Sequence, residues 1–310
     1  MDFFSANLPY ILSGISVGGQ YALIAIGYTM VYGILRLINF AHGDVFMVAG
    51  LMMVYLSASL PLYVAIPIVV VMTVVLGFVI ERAAYKPLRS APRMSIMISA
   101  IGVSYLLQNL ALYITGGLNK NYPSIPWISD TITIGTLVTK RVTLITPILT
   151  IVLVVVLVLF INHTKIGMAM RAVSRDFETS QLMGIKINSV ISATFIIGSL
   201  LAAIGSMLYF TNYAGVVPTS GSMPGLKAFV AAVFGGIGSI PGAVVGAFII
   251  GICENIIKGL DSTLVAAGII QAKDAMGLAT FSDAFTFALL IVILIVKPTG
   301  LFGEKQTDKV

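Results

Sequence analysis

The sequence contains few ionisable residues. Only 10% of its 310 residues are Asp, Glu, Lys or Arg, and 58% are hydrophobic. A soluble domain carries about 25% charged residues, so this chain could not cover a water-facing surface. The composition therefore predicts an all-α protein whose helices cross a membrane several times. Its basic residues are scattered singly between apolar runs, so the net charge of +6 does not indicate binding to nucleic acid.

The residues that several kinds of chemistry require are also missing. Cys253 is the single cysteine, which excludes an intrachain disulfide and a cysteine-based metal site. There is no G-x-x-x-x-G-K-[ST] motif for nucleotide phosphates, no His/Glu zinc motif and no recognisable nucleophile elbow. We therefore predict a protein that is not an enzyme and holds neither a metal nor another cofactor.

Long apolar runs fill most of the chain. Crossing a bilayer takes about 20 apolar residues, and the runs predict a single domain, residues 1–310, with eight or nine spans. The first run, Tyr10–Leu35, lacks a preceding basic region and cleavage site, so we predict that it is retained. Gly14 and Gly18 within it have the G-x-x-x-G spacing that is typical of a helix-packing seam.

The basic residues predict the orientation of the spans, because Lys and Arg concentrate in cytoplasmic loops. Residues 116–143 are polar but contain few basic residues, and we place them outside. This pattern puts the N-terminus outside and the C-terminal tail in the cytoplasm. The residues that mark two cytoplasmic loops are Arg82, Lys86, Arg89, Arg93, Lys165, Arg171, Arg175 and Lys186.

Two breaks interrupt the apolar runs. The first extends from Asn39 to Asp44, and the second is G-G-I-G-S-I-P-G, residues 235–242, which divides residues 223–259 into two short spans or a re-entrant hairpin. Paired breaks point to a transporter's pathway, because free backbone groups at membrane depth must lie inside protein or beside water. The predicted pathway residues are Asn39, His42, Asp44, Gly235, Gly236, Gly238 and Pro241.

A purely architectural role would explain the same residues. Asn39 could end one helix while Asp44 caps the next, and His42 could donate to a buried carbonyl. With no metal set or nucleophile in view, we favour this role for the first break, in which its residues shape a discontinuous helix beside the pathway. Lys227 and Glu254, near the ends of the second interrupted unit, are predicted to reach a membrane interface.

The loop of residues 162–188 contains a predicted short helix. Asp176 is an N-cap candidate, Glu178 falls in the first turn, and Gly184 suits the position after the helix. These signals predict a two-turn helix from Phe177 to Met183 on the cytoplasmic side. Such a short helix requires a surface to pack on, which indicates a partner.

Six segments of the sequence match one family signature, in order and over nearly the whole chain. They are G-G-Q-Y-A-L-I-A-I-G-Y-T-M-V-Y-G-I-L-R-L-I-N-F-A-H-G-D (18–44), E-R-A-A-Y-K-P-L-R (81–89), S-A-I-G-V-S (99–104), G-M-A-M-R-A-V-S-R-D (167–176), K-A-F-V-A-A-V-F-G-G-I-G-S-I-P-G-A (227–243) and K-P-T-G-L-F-G (297–303). With these segments the chain resembles LivH-type permeases, the inner-membrane subunits of bacterial ABC importers for branched-chain amino acids.

The resemblance implies an assembly in the bacterial inner membrane. A second, related permease chain, two cytoplasmic ABC ATPases and a periplasmic substrate-binding protein would join this chain there, with membrane lipid around them. The short helix would be the coupling helix that docks on the ATPase, although Phe177 stands where relatives often have Pro. The coupling residues that the resemblance implies are Gly167, Arg171, Asp176, Phe177, Glu178, Leu182 and Gly184.

The expected function is the passage of leucine, isoleucine or valine, with selectivity residing largely in the binding protein. Two alternatives stay open. The chain could belong to a related importer for urea or short amides, or it could be a channel or facilitator that works without an ATPase. Whether an ATPase associates with residues 167–185 separates the last alternative from the others.

Overall fold

A computed structural model describes residues 3–89, 91–134, 137–266 and 277–303. In these ranges the helices are α1 Phe3–Leu35, α2 His42–Ser57, α3 Leu62–Ile80, α4 Arg93–Thr115, α5 Arg141–His163, α6 Lys165–Arg175, α7 Phe177–Leu182, α8 Ile187–Asn212, α9 Ser222–Gly235, α10 Ile240–Ala266 and α11 Ser282–Val296. The strands are β1 Lys120–Asn121, β2 Thr131–Ile134, β3 Leu137–Lys140 and β4 Gly215–Val216. The predicted cytoplasmic tail beyond Gly303 lies outside the described residues.

Nine of the described helices are apolar. Seven are long enough to cross a membrane, and α2 and α9 are shorter apolar helices. Each of the two short helices follows a stretch without helical structure. The predicted all-α bundle with several spans and interrupted helices is confirmed. One detail is wrong: the second break is followed by the 27-residue helix α10, not by a short span.

Polar loops gather at the two ends of the bundle. At the end that we call the basic end, formed by residues 81–89, 91–93 and 162–188, Arg36 donates to the Ser174 carbonyl and Arg89 donates to the Asn188 side chain. At the hairpin end, formed by residues 116–134, 137–140 and 213–220, β2 pairs with β3 and β1 pairs with β4. The cytoplasmic location of the basic end stays a prediction.

Helix α1 is the central helix of the bundle. The most apolar window of α1 is 72% buried, whereas that of α11 is 11% buried. Along α1, a Cβ on Gly14 would lie 2.7 Å from the Ile252 Cα, and one on Gly18 would lie 2.8 Å from the Phe248 Cα. The predicted seam at these glycines is therefore confirmed, and α10 is the helix that packs on it.

Replacing Gly251 by Ala should lower the free energy of unfolding in detergent by about 1–3 kcal/mol, because the new methyl group meets the α1 backbone at Gly14 and Gly18. The matched control is Gly102→Ala on α4, where no atom lies within 4 Å of the added Cβ. That control should be neutral or slightly stabilising. Equal effects of the two substitutions on chemical unfolding would contradict the close contact between α1 and α10.

Candidate functional site

The first break lies between α1 and α2. Helix α1 ends at Leu35, and the next residue, Arg36, has a left-handed φ of +54°. Asn39 is buried, and its side-chain oxygen accepts a hydrogen bond of 2.7 Å from the hydroxyl of Tyr85. This hydrogen bond joins the break to the turn that follows α3. The predicted role of Asn39, as the residue that ends α1, is therefore wrong, because α1 already ends at Leu35.

Asp44 does not cap α2, so the predicted cap is wrong. The N-cap position is occupied by Ala41, which has no capping side chain, and Asp44 lies in the first helical turn. Its buried carboxylate accepts a hydrogen bond of 3.0 Å from the Gln108 side chain. An acidic group in the first turn still complements the positive end of the helix dipole.

His42 begins α2 and is buried against α1. Its ring packs edge-on to Tyr28 with the centroids 5.1 Å apart, and its imidazole hydrogen-bonds the backbone of Ile24. This contact agrees with the alternative in which His42 donates to a buried carbonyl. Its Nε2 atom has no hydrogen-bond partner among the described residues.

The beginnings of α2 and α9 touch each other. A Cβ on Gly43 would lie 2.7 Å from the Gly221 carbonyl oxygen and 3.1 Å from the Gly225 Cα, so only glycine permits this approach. Gln108, which bonds Asp44, also lies 3.4 Å from the Ser222 hydroxyl. We name Gly43, Asp44, Gln108, Gly221 and Ser222 the half-helix junction.

The half-helix junction lies inside the bundle and not at its surface. Gln108 belongs to α4, seven residues and about 10 Å before the end of that span at Thr115. Two helix N-termini, each with a partial positive charge, therefore meet at membrane depth. Such an arrangement is suited to lining a substrate pathway, because broken helices are tolerated there only beside protein or water.

The second predicted break forms a capped turn at the other end of α9. The carbonyls of Phe234 and Gly235 accept hydrogen bonds of 2.9 Å from the backbone N–H groups of Leu301 and Phe302. Gly236 and Gly238 have positive φ values, and Pro241 is the second residue of α10, where proline is tolerated. The C-terminal K-P-T-G-L-F-G segment thus closes this end of α9.

The backbone of the first predicted break therefore does not contact the backbone of the second. The backbone that touches Gly43 belongs to the start of α9, whereas Gly235 lies 14 residues, or about 20 Å, further along that helix. Sequence analysis singled out neither residues 213–221 nor Gln108. Two sequence signals could have indicated this contact: Gly221, and the polar side chain of Gln108 within an apolar span.

Lys227 and Glu254 are buried, which makes their predicted interfacial placement wrong. Lys227 is 6% exposed and Glu254 is 1% exposed. The Lys227 ammonium lies 2.7 Å from the carboxylate of Glu254 and 2.6 Å from that of Asp283. Tyr21 donates to Glu254, and Lys258 pairs with it as well. This buried charge network joins α1, α9, α10 and α11.

The loop after α5 contains the predicted capped helix. The Asp176 side chain accepts from the N–H of Thr179 at 3.0 Å, α7 runs from Phe177 to Leu182, and Gly184 has a φ of +84°. Glu178 is exposed in the first turn. The predicted helix is confirmed, one residue shorter than expected.

The preceding helix, α6, is anchored through Gly167 and Arg171. The N–H of Gly167 donates to the Thr164 hydroxyl at 3.0 Å, which caps α6. The guanidinium of Arg171 donates to the Asn162 side chain at 2.6 Å. These bonds hold α6 against the end of α5 and thereby set the position of α7.

Helix α7 presents apolar side chains on two sides. Leu182 and Met183, at its end, are 87% and 79% exposed. Phe177 instead lines two cavities between α7 and the bundle, of about 290 and 490 Å³. One side of α7 therefore faces the basic end of the bundle, and the other side is available to a partner.

Arg89 lies next to these cavities and is partly desolvated. It is paired with Glu81, whose carboxylate also accepts from Ser192 at 2.8 Å. Burial lowers the pKa of the Arg89 guanidinium, and the charge of Glu81 opposes this shift. Within the described ranges, no three His, Cys, Asp or Glu side chains are grouped so that they could hold a metal ion.

Comparisons with known proteins agree over almost the full length. A family model described as "Branched-chain amino acid transport system / permease component" matches residues 10–294. The high-affinity branched-chain amino acid transport system permease protein LivH of Escherichia coli K12 is 38% identical over 98% of this chain and 97% of its own. LivH of Salmonella typhimurium LT2 is 37% identical over 98% and 97%, and BraD of Pseudomonas aeruginosa is 36% identical over 98% and 98%.

Substituting Lys227 by Met should lower the free energy of unfolding in detergent by about 3–5 kcal/mol, because Glu254 is left buried with one partner fewer. Lys258→Met is the control, since Lys258 pairs with the same carboxylate but is 37% exposed, and it should cost less than about 1 kcal/mol. Adding Glu254→Gln to Lys227→Met should recover part of the loss. Equal losses for the two lysine variants would show that Lys227 is not buried in the folded protein.

Proposed function

Since the chain belongs to the family of permease components of branched-chain amino acid transport systems, we propose that it is the permease subunit of an ATP-driven importer of leucine, isoleucine and valine. The observation that carries this proposal is the match to the LivH and BraD permeases over 98% of the chain. The chain lacks a P-loop motif, so ATP hydrolysis takes place in separate ATPase chains.

The two ends of the bundle support the proposed orientation and partners. The basic end faces the cytoplasm of a bacterium, because Lys and Arg favour that side, and two ABC ATPases dock there. The hairpin end faces outward, where a substrate-binding protein delivers the amino acid. A second, related permease packs beside this chain in the inner membrane, which is consistent with the exposed apolar surfaces of the peripheral helices.

Coupling to the ATPase uses the two sides of α7. The exposed Leu182 and Met183 dock on the ATPase, since apolar side chains that project into water gain free energy from burial. Movement of α7 is passed on through Phe177, which shares a cavity with Leu35 and Tyr85. Asp176, Glu178 and Gly184 shape α7, while Gly167 and Arg171 position it.

The substrate passes beside the half-helix junction. The Gly43 and Gly221 backbones are in contact, and in this proposal that contact closes the route. Passage requires the beginnings of α2 and α9 to separate, and α7 lies at the basic end from which such a movement is driven. Asn39, His42 and Asp44 position the start of α2 and need not contact the substrate.

The decisive experiment measures leucine uptake into vesicles that contain the two permeases and the ATPases, with the binding protein outside. Uptake should require ATP inside the vesicle and should be inhibited by isoleucine and valine. Uptake that is indifferent to ATP would favour a channel or facilitator. Competition by urea or short amides, without competition by valine, would favour the related importer.

In the same vesicles, Leu182→Ser should reduce the affinity for the ATPase by about tenfold and lower ATP-driven uptake, because an exposed apolar contact is lost. The matched control is Leu118→Ser at the hairpin end, where the leucine is 64% exposed. The control should leave ATPase recovery during purification unchanged. Normal ATPase recovery and uptake with Leu182→Ser would remove α7 as the docking element.

Asp44→Asn should preserve the fold and most of the uptake. An asparagine oxygen can still accept the hydrogen bond from Gln108, and losing the charge at the start of α2 costs only about 0.3–1 kcal/mol. Asp44→Leu, which removes the acceptor, should impair expression and uptake. If Asp44→Asn is normally expressed and assembled but cannot transport, the charge itself is required and the architectural role is wrong.

A further inference from the structure

A cavity of about 290 Å³ lies at the basic end, beneath Phe177 of α7. Its size is near the lower end of ligand-binding pockets, which span about 300–1,000 Å³, so it suits a small molecule. Most of its lining is apolar, and it comes from the end of α1, the start of α4, α7 and the segments that follow α1 and α3. The apolar lining residues are Ile34, Leu35, Leu37, Ala91, Ile96 and Phe177.

Two arginines, Arg89 and Arg93, also line this cavity. The terminal nitrogens of Arg89 bond Glu81 and Asn188, but its Nε atom is buried and has no partner among the residues described here. Arg93 is exposed at the first position of α4. The cavity is therefore bordered by two guanidinium groups, which together suit a carboxylate.

The same cavity is bordered by the C-terminal end of α1. Ile34 and Leu35 are the last two residues of that helix. Carbonyls in the last turn of a helix lack intrahelical partners, and the helix dipole gives them a partial negative charge. An ammonium group is favoured beside them.

We propose that this cavity binds a free amino acid with a branched apolar side chain. The carboxylate binds to Arg89 and Arg93, the ammonium group faces the end of α1, and the side chain packs on the apolar lining. The identity of the ligand rests on the proposed function, since leucine, isoleucine and valine are the products released on this side.

Occupancy of the cavity would regulate transport. Phe177 belongs to α7 and forms one wall of the cavity, so a bound ligand adds contacts between α7 and the bundle. If α7 must move relative to the bundle for transport, the ligand stabilises one position and opposes the other. Accumulated amino acid in the cytoplasm would therefore slow further import.

Binding is tested on the detergent-solubilised complex of permeases and ATPases without the binding protein, by calorimetric titration with leucine. Arg93→Gln should weaken leucine binding about tenfold through loss of a charged contact, and Ala91→Phe should abolish it by filling the cavity. The matched control is Arg82→Gln, an exposed arginine of the same loop that does not line the cavity. It should bind leucine as the unmodified protein does.

Two analogues test the chemistry of the ligand. Leucinamide lacks the carboxylate and 4-methylpentanoate lacks the ammonium group, and each should bind at least about tenfold more weakly than leucine. Equally tight binding of 4-methylpentanoate would show a site for any anionic amphiphile, such as a lipid, and would overturn the proposal. Unchanged leucine affinity in both the Arg93→Gln and the Ala91→Phe variant would also overturn the proposal.

The regulatory part is tested in vesicles preloaded with leucine. Internal leucine should slow initial uptake of labelled leucine by the unmodified complex, and Arg93→Gln should require about tenfold more internal leucine for the same effect. If internal leucine inhibits the unmodified complex and the Arg93→Gln variant equally, or inhibits neither, the regulatory proposal is wrong. Uptake into empty vesicles tests the proposed function separately, and the titrations do not depend on transport.

Discussion

A peptide group inside a bilayer has no water to bond with, and each unpaired one costs several kcal/mol. This constraint shapes the break between α1 and α2. The Arg36 N–H donates to the Tyr32 carbonyl, and the His42 N–H donates to the Asn39 carbonyl. The hydroxyl of Tyr28 also forms a hydrogen bond with the backbone of Gly43. A break that is satisfied locally can lie beside a pathway, and two such helix starts can approach without unpaired backbone groups at the contact.

The same reasoning applies to the buried charges. Lys227 on α9 is tolerable only because Glu254 on α10 and Asp283 on α11 surround its ammonium group. A pair of this kind adds little net stability over apolar packing, yet it is costly to break. The network therefore holds α9 in one position against α10 and α11, while the start of α9 forms the half-helix junction. The backbone contact at that junction and the buried Lys227 therefore belong to the same short helix, α9.

Local signals predicted the local structure well. The caps of α7, the seam at Gly14 and Gly18 and the multi-pass bundle each depend on residues close together in sequence. The partner of the first break could not be predicted in this way, because glycines mark both residues 213–221 and residues 235–242. Only tertiary contacts distinguish the helix start at Gly221 from the capped turn at Gly235. The pairing of Lys227 depends on Asp283, which is more than 50 positions away in the sequence. Without that contact, a lysine whose side chain reaches the membrane interface was as reasonable a prediction as a buried ion pair.

The basic end connects these features, because three separate parts of the chain meet there. Asn39 from the first break bonds Tyr85, and Tyr85 shares a cavity with Phe177 from α7. A displacement of α7 would reach the start of α2 through one cavity wall and one hydrogen bond, without passing through the long spans. In the proposed coupling, the exposed end of α7 at Leu182 receives force from a partner, and Phe177 transmits it to the bundle. A ligand between Phe177 and the end of α1 lies directly in that route, so the cavity is well placed to control it.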